Sequence, residues 1–178
     1  MNKRKALIVM ATAFTFCFSW TPPLFEVLAA SPEQGAVLEF VSTGPTTVSA
    51  GTPVVFDLTI STNTLPEFQA ADALIGCDGA RFTFEYSDEW LESFAFIQDP
   101  RPMGVYAHDL YVGGFAINGV GSTFPLGTIT VDTRGLSTGS YALVVNSSIS
   151  PGQASVALGV DSEPLDGQTV FTVIGLQR

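Results

Sequence analysis

The sequence predicts an all-β fold, an antiparallel β-sandwich or jelly roll, and three observations carry that reading. Apolar and polar residues alternate with a period of two in Val54–Ser61, where Val54, Phe56, Leu58 and Ile60 interleave with Val55, Asp57, Thr59 and Ser61. The same alternation returns in Arg81–Tyr86, with Phe82, Phe84 and Tyr86 against Arg81, Thr83 and Glu85. Short runs of this kind recur along the chain with Gly and Pro between them, the spacing of about nine or ten strands in a sandwich. No segment sustains a helical period.

In order, the strands are expected at Val37–Thr43, Val54–Ser61, Ala70–Ile75, Arg81–Tyr86 and Ser93–Ile97. A long extended segment, Val105–Ile117, precedes Leu126–Asp132, Tyr141–Asn146, Ala154–Leu158 and Thr169–Val173. Turns are expected at Gly44-Pro45, Asp78-Gly79, Asp99–Pro102, Gly119–Gly121, Ser137–Gly139 and Pro151-Gly152, because Gly and Pro supply the backbone angles that turns need. One short helical turn fits Ser87–Ser93, capped by Ser87, with Trp90 and Leu91 packed under it.

The first thirty residues read as a signal peptide. Lys3, Arg4 and Lys5 precede an uncharged run, Ala6–Trp20, and small residues end the segment at Ala29-Ala30. The run is about fifteen residues, short of the roughly 20 that a spanning helix needs, and Pro22-Pro23 interrupts it. The expected organisation is therefore a leader over residues 1–30 and one domain over 31–178, secreted or held at the cell surface, without stable membrane insertion after cleavage. Beyond residue 30 there is no lysine, and four arginines (81, 101, 134 and 178) against sixteen carboxylates leave a net charge of −12. Such a surface repels phosphate backbones and excludes nucleic acid as a partner. Cys77 is the one cysteine beyond the leader, so no internal disulfide holds the domain. It lacks a His or Lys neighbour in sequence to favour a thiolate and reads as core filling.

Several segments in this order resemble the cohesin family, extracellular bacterial β-sandwich modules that share a fold with a class of carbohydrate-binding modules. The resemblance rests on Ser49–Leu58 as the opening strand after a small-Gly turn and on Phe82–Glu92 as a strand ending in Tyr before a short turn. Leu126–Val131, Ser137–Tyr141 and the closing Asp166–Val170 complete it, so it spans roughly Val37 to Val173. Where many members place Asp directly after the Tyr, this chain has Ser87, with Asp88 following. That turn and Gly113-Gly114-Phe115 look more like variants found as single domains in exported bacterial proteins than like cellulosomal cohesins. The resemblance implies a protein–protein interaction or adhesion module that docks a partner on one sheet face. The wider fold relationship implies the alternative, a polysaccharide-binding module.

Residue chemistry points away from catalysis. The single histidine, His108, has no Gly-x-Ser-x-Gly elbow to work with, and the acidic turn Glu85, Asp88, Glu89, Glu92 shows no facing pair. No cofactor is expected. One His and one mature Cys argue against zinc. A structural calcium ion is the metal left open, at Asp72 and Asp78 or at Asp161, Glu163 and Asp166, though neither group has calcium-loop spacing. A glycan surface needs exposed aromatic rings, and Tyr86, Trp90, Tyr106, Tyr111 and Tyr141 are the candidates. Along Val105–Val112, Tyr106, His108, Leu110 and Val112 share one face while Ala107, Asp109 and Tyr111 share the other. With the first set inward, Asp109 and Tyr111 are exposed together. The binding candidates are therefore Asp109 and Tyr111, followed by Tyr106 and Tyr86.

Overall fold

The computed structural model describes residues 35–77, 79–102, 109–145 and 155–175, all within the compact unit Pro32–Arg178. The expected leader, residues 1–30, lies outside the described residues. In chain order the strands are β1 (Ala36–Ser42), β2 (Thr47–Ser49), β3 (Val54–Ser61), β4 (Glu67–Cys77) and β5 (Arg81–Tyr86). A short helix α1 (Asp88–Ser93) follows, then β6 (Phe96–Ile97), β7 (Arg101–Pro102), β8 (Asp109–Gly121), β9 (Thr123–Asp132) and β10 (Gly139–Val145). The last three strands are β11 (Val156–Leu158), β12 (Ser162–Asp166) and β13 (Gln168–Ile174).

Two layers result. One is β1-β3-β9-β5, and the other runs β2-β13-β10-β4-β8, with β6 and β7 on the free edge of β8. β11 and β12 link the layers, since β11 pairs with β4 and β12 pairs with β1. Every pairing is antiparallel except β1 with β12 and β2 with β13. This is the expected sandwich of jelly-roll type. It has three more strand segments than expected, β2, β7 and β12, all short pieces, and the strand expected at Ser93–Ile97 is reduced to β6 because α1 takes its first residue.

The core lies between the layers. Val54, Phe56, Leu58 and Ile60 from β3, with Ile129 and Val131 from β9, face Ala71, Ala73 and Ile75 from β4, Val112 and Ala116 from β8 and Phe171 and Val173 from β13. Burying each large side chain of this set is worth roughly 1.5–3 kcal/mol. Cys77 joins the core at the end of β4. Gly127 sits at the irregularity where β9 shifts register against β3, and it touches the neighbouring strand: a Cβ there would fall 2.2 Å from the Glu85 carbonyl oxygen. Gly119, expected in a turn, lies inside β8, where a Cβ would come 2.9 Å from the Glu67 carboxyl carbon. The absence of a side chain there serves close packing and does not break the strand.

The acidic segment Asp161–Asp166 is not a loop: all of it but Asp161 forms β12, and Glu163 explains its placement. Its buried carboxylate accepts from the backbone N–H of Asn63 (2.8 Å), Thr64 (2.6 Å) and Leu65 (3.0 Å) and from the Thr64 hydroxyl. Burial pushes the Glu163 pKa up, but these bonds outweigh it and hold the carboxyl below its ordinary value. The stabilisation is therefore present above the usual carboxylate pKa and is lost as pH falls through the lower folded value. Glu163→Gln turns an amide N–H₂ toward backbone donors. It should cost about 2–4 kcal/mol in urea unfolding at pH 7. The gap between wild type and variant should narrow as the titration is carried into acid.

Candidate functional site

The two outer faces of the sandwich differ in chemistry. On β3, β9 and β5 the outward residues are mostly polar: Asp57, Thr59, Thr128, Thr130, Arg81, Thr83 and Glu85, with Asp57 accepting from the Thr128 hydroxyl at 2.8 Å. Val37 and Val41 on β1 are the large apolar residues standing well out of that layer. On the opposite layer, β8 turns Val112 and Ala116 into the core and presents Tyr111, Phe115 and Ile117 outward. Phe115 is 44% exposed and Ile117 68% exposed. Beside them, Phe96 of β6 is 68% exposed and registers opposite Phe115, with the ring centroids 6.4 Å apart. Leu158 of β11 lies across Ala70 of β4, which itself pairs with Phe115, so the apolar patch runs over four strands, β6, β8, β4 and β11.

A polar pair interrupts the patch. Asp72 of β4 and Tyr111 of β8 are half-buried and joined by a side-chain hydrogen bond. Burial pushes the Asp72 carboxyl above its usual range, and the Tyr111 bond only partly opposes this. Gly113 registers opposite Asp72, and a Cβ there would overlap the Asp72 Oδ1 at 2.2 Å and the Ala71 carbonyl oxygen at 2.5 Å. Glycine at 113 is what gives the carboxylate its place on this face.

The edge of this sheet is completed from the other layer. Gln98 N–H donates to the Gly113 carbonyl at 2.9 Å, but the return bond, from Gly113 N–H to Gln98 C=O, is not made directly. The Tyr86 hydroxyl stands between them. It accepts from Gly113 N–H at 2.9 Å and donates its single proton to the Gln98 carbonyl at 2.6 Å, with the Gly113 carbonyl a longer alternative at 3.0 Å. Burial is the main cause that raises the Tyr86 pKa to about 12; the Gly113 bond opposes it and the nearby Asp72 and Asp99 charges add to it. The ring is held by stacking on Trp90 (6.0 Å, 14°), which in turn stacks on Phe94 (3.6 Å, 8°).

That stack comes from α1. Ser87 Oγ accepts from Trp90 N–H at 3.0 Å as the N-cap and donates to the Pro125 carbonyl, and Asp88 and Glu89 occupy the first turn. Trp90 is fully buried as expected, whereas Leu91 is 50% exposed: the six-residue helix turns only one face to the sandwich, and Trp90 with Phe94 fills it. The Trp90 indole N–H is buried without a hydrogen-bond partner. Gly114 passes 3.2 Å from that nitrogen, measured from a Cβ placed there, so β8 can lie directly on the indole.

Of the four binding candidates, Tyr111 lies on the outer face in a bond with Asp72, and Tyr86 packs against the core with its hydroxyl bonded to the backbone at the β8 margin. Asp109 opens β8, and Tyr106 lies outside the described residues. Leu110 and Val112 do pack inward, the condition under which Tyr111 faces out. Among the described residues no three His, Cys, Asp or Glu side chains converge as a metal site. Phe96, Phe115 and Ile117 were not among the sequence candidates. Their signal is the small inward pair Gly114 and Ala116, which leaves the large apolar neighbours facing out.

No protein-family model and no curated protein sequence matches the chain. Solved structures do. The seventh ScaB type I cohesin from Pseudobacteroides cellulosolvens superposes with a TM-score of 0.57 at 11% identity, over 81% of this chain and 95% of that one. A cohesin module from a Clostridium perfringens family 33 glycoside hydrolase gives 0.54 at 12% identity, over 80% and 98%. The third ScaC cohesin of Acetivibrio cellulolyticus, solved in complex with the ScaB dockerin, gives 0.55 at 15% identity, over 78% and 99%. The fold of this chain is cohesin-like.

Tyr86→Phe keeps the stack and removes the bridge, leaving a Gly113 donor and a Gln98 acceptor to find other partners. A loss of about 1–3 kcal/mol is expected in denaturant unfolding. Because the folded pKa is raised, the wild-type contribution is complete below the ordinary tyrosine value and disappears as pH rises from about 10 toward about 12. The variant should lack that alkaline loss when unfolding is followed across the same range.

Proposed function

We propose that this chain is an exported, non-catalytic protein-binding module that docks an extracellular protein partner on the outer face of β4, β8 and β6. The observation that carries the reading is the exposed apolar patch of Phe96, Phe115, Ile117 and Leu158, set against a polar outer face on the other layer. A patch of large apolar side chains on a rigid sheet, with one hydrogen-bonded acid inside it, has the make-up of a protein interface: an apolar centre and a polar fixing point. The cohesin-like fold supports the same reading, since the Acetivibrio cellulolyticus neighbour was solved with a dockerin bound. Dockerins are accordingly the first partner class to try. The leader over residues 1–30 supports export, with the module secreted or retained at the cell surface by its partner.

Polysaccharide binding is the weaker alternative. The two exposed rings, Phe96 and Phe115, are tilted by 42° and do not make the flat strip that stacks on sugar faces.

The test is capture of a discrete protein from the secreted and surface fraction of the source organism, followed by measured binding of that protein to variants. Phe115→Asp and Ile117→Asp should each weaken binding by about 30-fold or more, the scale of a buried apolar anchor. Thr128→Asp, on the opposite face, should leave it unchanged. The reverse pattern, or retention on an insoluble polysaccharide that is competed by soluble sugar and lost in Phe115→Asp, would sink the protein-docking reading.

A further inference from the structure

A second site lies on the opposite layer, away from the docking face. A cleft of about 580 Å³ opens at the end of β3, β9 and β5, lined by Pro53, Arg81, Thr83, Thr130, Asp132 and Arg134 among others. That volume falls within the roughly 300–1,000 Å³ typical of small-ligand sites. The register explains the floor. Arg81 pairs with Asp132 and Thr83 with Thr130, so two rungs of the β5–β9 ladder put a guanidinium, a carboxylate and two hydroxyls on one outward face.

The walls are fixed before any ligand arrives. Buried Thr133 accepts from Gly51 N–H at 2.9 Å and donates to the Thr52 carbonyl at 2.8 Å, which ties the loop before β3 to the turn after β9. Gly51 takes a positive φ of 92° in that loop. Arg134 is clamped on Asp132 by bonds of 2.7 to 3.0 Å, and the Arg134 side chain and backbone N–H, with a smaller contribution from the Arg81 charge, lower the Asp132 pKa to about 2. Asp132 is thus a committed anion already matched by Arg134.

Arg81 is left over. It forms no ion pair among the described residues, and neither the Thr83 nor the Thr130 hydroxyl has a hydrogen-bond partner among them. In contrast, Thr128, one rung further along, already donates to Asp57. Of the remaining acids on this face, Asp57 and Glu85 stand at the Thr128 rung, beyond the Thr83–Thr130 pair, and Glu39 stands further off on β1, opposite Thr59. Only four arginines and no lysine occur beyond residue 30, and two of the four line this one cleft. A concave site of net positive character on a chain of net charge −10 selects a singly charged anion, because the surrounding field opposes anything more highly charged.

We propose that this cleft binds a small sugar acid, its carboxylate forked on Arg81 and its ring hydroxyls on Thr83 and Thr130. A guanidinium offers parallel donors that match a carboxylate, and the two threonine hydroxyls donate and accept as sugar hydroxyls require. The ligand is of monosaccharide to disaccharide size, supplied free or as a uronic acid unit at the end of a glycan. The inference does not depend on the docking face.

The experiment is an NMR titration of the whole protein with galacturonate, galactose and acetate, repeated with a short oligogalacturonate. Saturable shifts at Arg81, Thr83 and Thr130 are expected with galacturonate, about tenfold weaker or more with galactose and with acetate alone. Arg81→Gln should abolish the response while leaving the remaining spectrum intact, and Thr83→Val should weaken it several-fold. A stronger response to the oligomer would assign the glycan end as the source, and an equal one the free acid. Equal binding of galactose or acetate, or shifts unchanged in Arg81→Gln, would overturn the proposal.

Discussion

The exposed apolar face is fixed at its edge by the Tyr86 hydroxyl. β6 and β7 are two residues each, too short to hold the margin of β8 by ladder bonds alone, and the prolines at 100 and 102 remove two donors from the connection. The hydroxyl completes the rung between Gly113 and Gln98 from the opposite layer, so one side chain joins the two sheets where the margin is weakest. The Trp90–Phe94 stack under it decides where that hydroxyl can be, and α1 with its Ser87 cap decides where the stack can be. Phe96 is thereby set opposite Phe115. The exposed apolar face is assembled on a backbone whose position is determined from inside.

The two faces differ in composition. One layer turns threonines, acids and an arginine outward and holds a small polar cleft at its end. The other turns large apolar residues outward around a single hydrogen-bonded acid. Both arrangements depend on small residues. Gly113 makes room for Asp72, Gly114 lets β8 lie on Trp90, and Gly127 lets β9 pass the Glu85 carbonyl. Alanine at any of these three positions would meet atoms too close to accommodate without moving a strand.

Much of the fold was legible because a period of two is a local signal. β1, β3, β5 and β13 fall within a residue or so of where alternation puts them, and Ser87 caps the one helix among the described residues. What was not legible depends on distant partners. β12 is acidic and proline-bearing and reads as a loop until Glu163 meets the N–H groups of 63–65 about a hundred residues away in sequence. Gly119 reads as a turn until Glu67 is seen against it. At the candidate site, parity with Leu110 and Val112 puts Tyr111 on the outer face, where it is half-buried in a bond with Asp72 rather than exposed. Phe115 and Ile117 obey the same parity, but large apolar residues in a strand read as core until the small inward Gly114 and Ala116 are set beside them. The cleft at Arg81 and Thr130 is formed by cross-strand register, which no single segment of sequence contains.

The most direct measurement of the central claim is amide hydrogen exchange of the whole chain with and without its captured protein partner. Docking on the outer face of β4, β8 and β6 predicts added protection over residues 96–98 and 111–117, with 81–83 and 128–132 unchanged. Protection confined to 81–83 and 128–132 would contradict it and place the partner on the other layer.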